Sequence, residues 1–484
     1  MSFSNIQERL FDRNKMLDAI LTLISPARIG GYLGRPHDPS LKILETIRTS
    51  EIKGVWRWWT RILIATALYR RGYIIDDYNK LNELISLILG GERASLFDIS
   101  LKLNRINKEQ FDKVKEIPRI KLLRRLKSEE RRKYRDRDIP NLEILLSPDT
   151  EFETSILLRS REIEKNVFIN DEVIAFVLYS FVIALLFSGV GSILTRGFGK
   201  VKINITKSYI GNLKTDLESI YNSVNEDELN KNLNNLIDQS INYANNYIDF
   251  LENTKEIKII LNKVIRETSS QTAEQVRTPI LDSNYFKFKI LKVLPNRRIE
   301  EILKCIGKST LKLEWKWYDY YGVTTEQKPL SNKDDYDRII KERKKIYGDN
   351  YYSGIFHTWM LGMPRKVIYE KKEKETKTTG YEGIERRTSN VAFTIIKPAN
   401  NVYYIVEYGF LTYDWTDRVS NLKYYYDKGK REEYVVNILN KDGILDPTIK
   451  SENKIKKPAI LKDVFNTTFD TCFEVLKTCL EGKK

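Results

Sequence analysis

The segment over residues 173–194 constrains the fold most, because it carries almost no charge over roughly 20 residues, a length that could cross a membrane. A membrane span is not favoured, because the segment contains Ser180, Ser188 and two glycines and directly follows the acidic pair Asp171-Glu172. The rest of the sequence offers no second segment of this kind. We therefore predict a helix that is buried in the core of a globular protein.

Around this segment the hydrophobic period alternates between that of strands and that of helices. Apolar runs and two-residue alternation predict strands at residues 17–24, 97–103, 152–158 and 201–205. Helical spacing covers residues 54–71 and 171–187. The resulting order, βαββαβ, is that of a ferredoxin-like (RRM-like) domain, in which a sheet carries two helices on one face.

The length of 484 residues allows two or three domains at roughly 150 residues each. We predict an N-terminal ferredoxin-like domain over residues 1–207, a helical connector over 208–270, and a second ferredoxin-like α+β domain over 271–484. The first domain contains a basic insertion at about residues 104–149, which is either a solvated or disordered segment or an RNA contact. Residues 370–387 are expected to form a mobile loop.

The formal net charge of +16 favours a polyanionic partner, with nucleic acid first and an anionic membrane surface second. A solvated basic surface is the alternative. The charged fraction of 31%, with abundant Lys and Glu, is typical of thermophilic proteins. The first residues lack the basic and apolar regions of a signal peptide, so we expect a cytoplasmic protein.

Three cysteines, Cys305, Cys472 and Cys479, form no CxxC motif, and the two histidines are His37 and His357. This set predicts neither a disulfide framework nor a zinc site, which indicates a reducing compartment and no metal or other cofactor. Cys472 and Cys479 lie seven residues apart on the apolar stripe of a predicted C-terminal helix, where a thiol acts as a small hydrophobe. We therefore predict both as core residues.

A basic helix rich in tryptophan is predicted over residues 53–71. At about 100° per residue its cations fall on one stripe, formed by Lys53, Arg57 and Arg61. Trp56 and Trp59 lie on the opposite, apolar side and are predicted to pack in the core. Trp58 lies at the edge between the two sides, where an indole can stack on a nucleobase for about 1–3 kcal/mol per base. The stripe is either a solvated helix face or a surface for phosphate.

A glycine-rich loop, SGVGSILTRGFGK, follows the uncharged helix and precedes the strand that begins at Val201. Its glycines can bring backbone N–H groups close to a phosphate, and Arg196 and Lys200 favour that interpretation over a simple tight turn. The loop lacks the GK[ST] of a Walker loop, and its helix–loop–strand order differs from that of a dinucleotide site. Binding of a nucleotide cofactor is therefore not expected.

Three motifs occur in order along the chain: Ser25-Pro26-x-x-Ile29-Gly30-Gly31, then Ile47-Arg48 before Lys53-Gly54-x-x-Arg57-Trp58-Trp59, then Gly191-x-x-x-x-Arg196-Gly197-Phe198-Gly199. This combination resembles the RAMP superfamily, and within it the family of the first RAMP subunit of the Cmr complex, the type III-B CRISPR-Cas effector. The helix motif distinguishes this family, since the glycine-rich loop is shared across RAMP proteins. The strong resemblance covers about residues 17–205, and a weaker one extends to 357–365 and 386–389.

The resemblance implies two ferredoxin-like domains and binding to the 3′-side part of CRISPR RNA in antiviral defence. Target RNA is a second RNA partner that it allows, and other RAMP subunits of the Cmr complex are the protein partners. It also implies that the chain is not an enzyme, because target cleavage belongs to a repeated backbone subunit. The predicted RNA-binding residues are Arg48, Lys53, Arg57, Trp58 and Arg61 in the helix motif, and Gly191, Arg196, Gly197, Gly199 and Lys200 in the loop.

Two other functions stay open at this point. The first is a metal-independent endoribonuclease of the RAMP type that processes CRISPR RNA, for which His37 in the turn-rich GRPHDPS segment could serve as the general base. An exposed surface histidine is the simpler interpretation of His37. The second is a structural or membrane-linked protein whose charge serves lipid head groups and whose helix at 173–194 inserts into the bilayer.

Overall fold

The computed structural model describes residues 14–29, 47–75, 79–91, 93–107, 146–267, 276–310, 358–361, 367–370, 376–382, 389–398, 402–413, 422–427, 431–439, 444–448 and 459–481. His37, His357 and most of the insertion at 104–149 lie outside the described residues. The chain divides into two compact units. The first contains residues 1–271, 278–303 and 392–408, and the second contains residues 272–277, 304–391 and 409–484.

The elements up to residue 292 belong to the first unit and begin with the N-terminal strand. The strands are β1 (Lys15–Leu23), β2 (Tyr73–Ile74), β3 (Phe97–Arg105), β4 (Glu151–Leu158), β5 (Glu162–Glu164), β6 (Val167–Phe168), β7 (Val201–Ser208), β8 (Arg266–Glu267) and β9 (Phe286–Lys292). The helices are α1 (Thr49–Arg70), α2 (Leu81–Leu89), α3 (Asp171–Phe187), α4 (Gly211–Tyr221), α5 (Glu226–Asn253) and α6 (Lys255–Val264), with a 3-10 turn at Leu194–Arg196.

Four of these strands form an antiparallel sheet in the order β3-β4-β1-β7. Because α1 lies between β1 and β3, and α3 between β4 and β7, the order along the chain is βαββαβ, as the sequence predicts. Strand β1 is central, where Leu21 pairs with Phe152 on one side and with Ile203 on the other. These three side chains are buried, while their neighbours along each strand are more exposed.

Helix α3 lies at the centre of the first unit. Of its 17 residues, 15 are buried, which confirms the prediction of a core helix for the uncharged segment. Asn170 caps the helix, because its side-chain oxygen accepts a hydrogen bond from the Val173 N–H at 3.0 Å. Among the described helices, none is both long and apolar enough to cross a membrane.

The segment predicted as a helical connector forms α4, α5 and α6. Helix α5 packs along α3 and α1 instead of leading away from them. The Tyr247 ring of α5 stacks on Phe176 at 5.2 Å, and its hydroxyl donates to the Leu84 carbonyl at 2.8 Å. Helix α5 therefore buries a further face of α3, which explains why α3 is apolar all round.

The remaining strands are β10 (Val367–Glu370), β11 (Thr376–Glu382), β12 (Val391–Ile396), β13 (Tyr404–Phe410), β14 (Leu422–Asp427), β15 (Arg431–Leu439), β16 (Ile444–Thr448) and β17 (Ala459–Ile460), and the remaining helices are α7 (Ile299–Ser309) and α8 (Leu461–Glu481). A six-stranded antiparallel sheet has the order β10-β11-β14-β15-β16-β17, and a three-stranded sheet has the order β12-β13-β9. Strand β11 lies within residues 370–387, so the prediction of a loop there is wrong over Thr376–Glu382.

A disulfide joins Cys305 of α7 to Cys479 of α8, with their Cα atoms 5.6 Å apart. The predictions that the cysteines form no disulfide and that Cys479 is a thiol in the core are therefore wrong. The two residues are 174 positions apart, and their spacing carries no signal that would pair them. For Cys472 the prediction of a core residue is confirmed, since its thiol is buried and contacts the Ser309 carbonyl at 3.3 Å.

Candidate nucleic-acid interface

Two tryptophans fix helix α1 to the core. Trp56 and Trp59 are fully buried, which confirms their predicted place. Their indole N–H groups donate to the hydroxyls of Ser180 and Ser188, each at 2.8 Å. A buried indole N–H needs an acceptor, and these contacts explain why the apolar segment that forms α3 contains serines.

Trp58 lies at the edge of the same helix, as helical spacing predicts. Its side chain is half-buried. Its ring meets that of Trp59 edge-on, with the centroids 5.2 Å apart and the planes at 90°. The buried Trp59 thus supports one side of the Trp58 ring while part of that ring stays accessible. The contact of Trp58 with RNA stays a prediction.

The cations of the α1 stripe contact neighbouring protein groups. The Lys53 ammonium lies 2.8 Å from the Asp98 carboxylate of β3. The Arg57 guanidinium donates to a backbone carbonyl, and that of Arg61 to a side-chain amide, both within residues 82–90. All three side chains are only half-exposed. These contacts help to hold α2 and β3 on α1, and the contact of the three cations with RNA stays a prediction.

Arg57 on this stripe and Asp98 of the neighbouring strand β3 have shifted pKa values. Burial, together with repulsion by Arg61, lowers the pKa of Arg57, which still stays cationic at neutral pH. Burial opposes ionisation of Asp98, but the Lys53 ammonium and the Arg159 guanidinium outweigh it and hold the pKa of Asp98 below its usual value. Asp98 is therefore charged at neutral pH and offsets the charge of Lys53 locally.

The glycine-rich loop between α3 and β7 closes on itself. The Val190 N–H donates to the Gly199 carbonyl at 2.8 Å. A Cβ on Gly199 would lie 1.8 Å from the Val190 oxygen, and a Cβ on Gly189 would lie 2.2 Å from the Gly199 oxygen. The φ angles are +65° at Gly199 and +78° at Gly189, so both the space and the backbone conformation require glycine.

The closed loop docks on the segment that follows β1. The Ser25 hydroxyl donates to the Gly197 carbonyl at 2.6 Å and accepts from the Lys200 N–H at 2.8 Å. The Ser192 N–H donates to the Arg28 carbonyl at 2.8 Å. The first and third motifs of the sequence therefore form one structural unit, which sequence analysis did not predict.

Lys200 and Arg196 are buried, with 0% and 4% of their surface exposed. The Lys200 ammonium donates to the carbonyls of Phe187 and Ser188 at 2.8 and 2.7 Å. These carbonyls end α3, where a lysine can serve as a cap. Burial lowers the pKa of Lys200 well below its usual value. Lys200 and Arg196 thus both lie below the surface in this structure, and their contact with phosphate stays a prediction.

Several motif residues reach the surface on or near these elements. Arg48 is exposed at the start of α1, and Trp58 and Gly191 are half-exposed, whereas Gly197 and Gly199 are buried. Sequence analysis missed Arg28, whose half-exposed side chain lies in the segment that holds the loop. Its position inside the first motif was the signal that could have identified it. The Trp59–Ser188 hydrogen bond links α1 to the start of the loop, so both elements belong to one packed body.

Within the part of the chain that the structure describes, no group of three or more His, Cys, Asp or Glu side chains is placed to hold a metal ion.

Comparisons with known proteins identify a family and two similar proteins. The model of the RAMP superfamily matches residues 20–202. The chain is 22% identical over 457 residues to "CRISPR system CMR subunit Cmr1" of Saccharolobus solfataricus, and the match covers 78% of this chain and 91% of that protein. A subunit of a solved type III-B Cmr-beta complex, bound to cognate target RNA and AMPPnP in the presence of ssDNA, is 14% identical. It aligns with a TM-score of 0.50 over 96% of this chain and 100% of that subunit, which indicates a shared fold.

Proposed function

Since residues 20–202 belong to the RAMP superfamily, we propose that this chain is a non-catalytic, RNA-binding subunit of a type III-B CRISPR-Cas (Cmr) effector complex. The relative from Saccharolobus solfataricus is described as a CMR subunit, and the solved Cmr-beta complex is bound to target RNA. The observation that carries RNA binding is the 2.8 Å hydrogen bond from Trp59 to Ser188, because it joins the helix that presents Trp58 to the start of the glycine-rich loop.

The surface residues of this body have the chemistry that single-stranded RNA requires. Arg48 and Arg28 supply positive charge, and the accessible part of Trp58 supplies a face for a base. The net charge of +16 adds a long-range attraction for the phosphate backbone. We propose recognition of the backbone and shape of the RNA, since cations at a protein surface contact phosphate oxygens more often than base edges.

The proposal extends to the architecture of the second half. When the strands of the six-stranded sheet are left out, the elements after residue 285 follow one another in the order βαββα. They are β9, α7, β12, β13 and α8. The sheet order β12-β13-β9 corresponds to β3-β4-β1 of the N-terminal sheet. This correspondence supports a second ferredoxin-like domain with large insertions.

The binding test compares substitutions at surface residues with a matched control. Arg48→Gln and Trp58→Leu should each weaken binding of a fluorescein-labelled single-stranded oligoribonucleotide, measured by anisotropy, while Lys231→Gln on the exposed side of α5 should not. The logarithm of the wild-type affinity should fall with the logarithm of the salt concentration, with a slope of about −0.7 per neutralised phosphate. A flat salt response, or equal affinities for all variants, would refute the proposed interface.

The RNA partner is tested by copurification. We propose that the chain contacts the 3′-side part of CRISPR RNA, and target RNA as a second partner, beside other RAMP subunits. Crosslinking the assembled complex and sequencing the RNA fragments bound to this chain should enrich the 3′ half of CRISPR RNA. Fragments spread evenly over the CRISPR RNA would contradict this assignment.

The absence of catalysis is tested separately. Purified chain incubated with repeat RNA in EDTA should leave the RNA intact. Site-specific cleavage that His37→Ala abolishes would establish a metal-independent endoribonuclease instead, with His37 as the general base.

A further inference from the structure

Helix α6 carries a stripe of exposed lysines. At about 100° per residue, Lys255, Lys258 and Lys263 fall within about 140° of one another around the helix axis, and all three are exposed. Helix α6 packs against α5 and α2. Its packed side is formed by three buried residues, Ile257, Leu261 and Val264. The lysine stripe therefore lies on the side of α6 that faces solvent.

The two acidic side chains at the end of α5 contact other groups. The Arg71 guanidinium donates to Asp249 at 2.8 Å and to Glu252 at 3.1 Å. The Tyr73 hydroxyl also donates to Glu252, at 3.1 Å. Helix α6 itself contains one acidic residue, Glu256, at the border of the stripe. The three lysines therefore keep an excess of positive charge on this side of the helix.

The stability of α6 does not account for the lysines at its start. A cation stabilises a helix near the C-terminus, where the macrodipole is negative, and Lys263 lies there. Lys255 and Lys258 lie within the first four residues, where the macrodipole is positive and favours an anion instead. A ligand that carries negative charge would make these two positions favourable. They therefore indicate an anionic partner.

We propose that the lysine stripe of α6 is a second contact surface for RNA, at which Lys255, Lys258 and Lys263 bind phosphates of a single strand. The stripe extends about 12 Å along the helix axis, which is long enough for more than one phosphate. Strand β8, which follows α6, pairs with β2, which follows α1, so the stripe lies at the end of α1 opposite Arg48. The inference rests on the proposed RNA-binding function and gives it a second site.

The chemistry of the stripe favours RNA over a protein or a membrane. Lysine is depleted in protein–protein interfaces, whereas interfaces with nucleic acids are strongly positive. A helix that lies on a membrane needs a wide apolar face towards the lipid. The exposed residues of α6 include a single apolar side chain, that of Ile259. A phosphate backbone is therefore the polyanion that fits this surface.

The test uses the full chain and the fluorescein-labelled single-stranded oligoribonucleotide. The triple variant Lys255→Gln/Lys258→Gln/Lys263→Gln should weaken binding. It should also make the slope of log affinity against log salt concentration less steep by about 2, the equivalent of three phosphates. Glutamine has nearly the helix propensity of lysine, so α6 should stay folded.

Two matched variants separate the stripe from charge in general. Replacing the same three lysines by arginine keeps their charge and should keep the wild-type slope. The control Lys207→Gln/Lys214→Gln/Lys231→Gln removes the same charge from exposed positions on three different elements, β7, α4 and α5. It should also leave the slope unchanged, and a control that flattens the slope as much as the α6 variant would refute the stripe.

The outcomes separate this inference from the proposed function. If the wild type binds RNA and Trp58→Leu weakens it, while the triple α6 variant keeps the wild-type slope, the stripe is refuted and the first surface stands. If the wild type does not bind RNA, both are refuted. An α6 variant that keeps its RNA affinity but loses binding to phosphatidylserine vesicles would refute RNA as the partner in favour of a membrane. Should the triple variant melt at a lower temperature, Lys258→Gln alone decides, with an expected change in slope of about 0.7.

Discussion

Substitution of the buried Lys200 by methionine tests the account of the glycine-rich loop most directly. Methionine fills a similar volume but cannot donate to the carbonyls of Phe187 and Ser188, which lie 2.8 and 2.7 Å from the ammonium. The Phe187 carbonyl would keep the Tyr408 hydroxyl as a donor at 3.2 Å, so the Ser188 carbonyl is the one that loses its described donor. A buried carbonyl without a donor costs about 1–3 kcal/mol. The wild type, however, also bears the cost of burying an ammonium, which Lys200→Met removes. We therefore expect a net loss in the lower part of that range, about 1–2 kcal/mol.

The pH dependence of this loss has a definite sign. Burial lowers the pKa of Lys200 in the folded chain, whereas in the unfolded chain the pKa is about 10.4. Between these two pKa values the unfolded chain binds more protons, so the free energy of unfolding of the wild type rises with pH. This contribution is complete above the unfolded pKa and is lost as pH falls through the folded pKa. Methionine does not titrate, so the gap between the two proteins should widen as pH rises towards 10.

Urea unfolding followed by tryptophan fluorescence at pH 7 and pH 9.5 measures both effects. Lys207→Met is the matched control, because Lys207 lies on the same strand, β7, and is exposed. It should change the free energy of unfolding by no more than about 0.5 kcal/mol. A Lys200→Met protein that is as stable as the control at both pH values would refute the capping role of Lys200.

Three further predictions concern stability. Gly199→Ala places a Cβ 1.8 Å from a backbone oxygen at a φ of +65°. It should lower the free energy of unfolding, measured in urea, by at least about 2 kcal/mol. An unchanged unfolding midpoint would contradict the closed loop. Trp59→Ala should cost about 3–5 kcal/mol and the half-buried Trp58→Ala clearly less, and the reverse order would contradict their placement. Without reductant, the denatured chain should react with one equivalent of iodoacetamide, at Cys472, and three reactive thiols would show that the disulfide is absent. Cys305→Ser should lower the free energy of unfolding by about 2–5 kcal/mol.

The predictable part of the fold is the part that local periodicity encodes. Two-residue alternation identifies β3, β4 and β7, and helical angles separate Trp56 and Trp59 from Trp58, because each pattern depends on the element's own geometry. The burial of α3 could also be predicted from the sequence, since a helix that is apolar on every side must be covered on every side. For these features the sequence pattern and the observed burial agree.

The parts that were missed depend on residues far apart along the chain. Helical angles place Lys53, Arg57 and Arg61 on one stripe, but they do not show that α2 and β3 cover it. Lysine is almost never fully buried without a partner, so a lysine after a glycine-rich loop favours an exposed position. Only the tertiary structure places Lys200 beneath the end of α3. The same holds for the disulfide across 174 residues.

The motif cations differ in exposure, and this difference changes how their substitution is interpreted. Lys53 and Arg57 are half-exposed, Lys200 is buried, and all three hold protein groups in place, so replacing one of them can displace α2 or the loop and weaken RNA binding indirectly. Arg48 is exposed and can contact phosphate itself. Lower affinity alone does not distinguish the two cases. The slope of log affinity against log salt concentration does distinguish them. Replacing a cation that neutralises a phosphate reduces this slope, because one fewer counterion is released on binding. Replacing a cation that only positions other groups lowers the affinity equally at every salt concentration and leaves the slope unchanged.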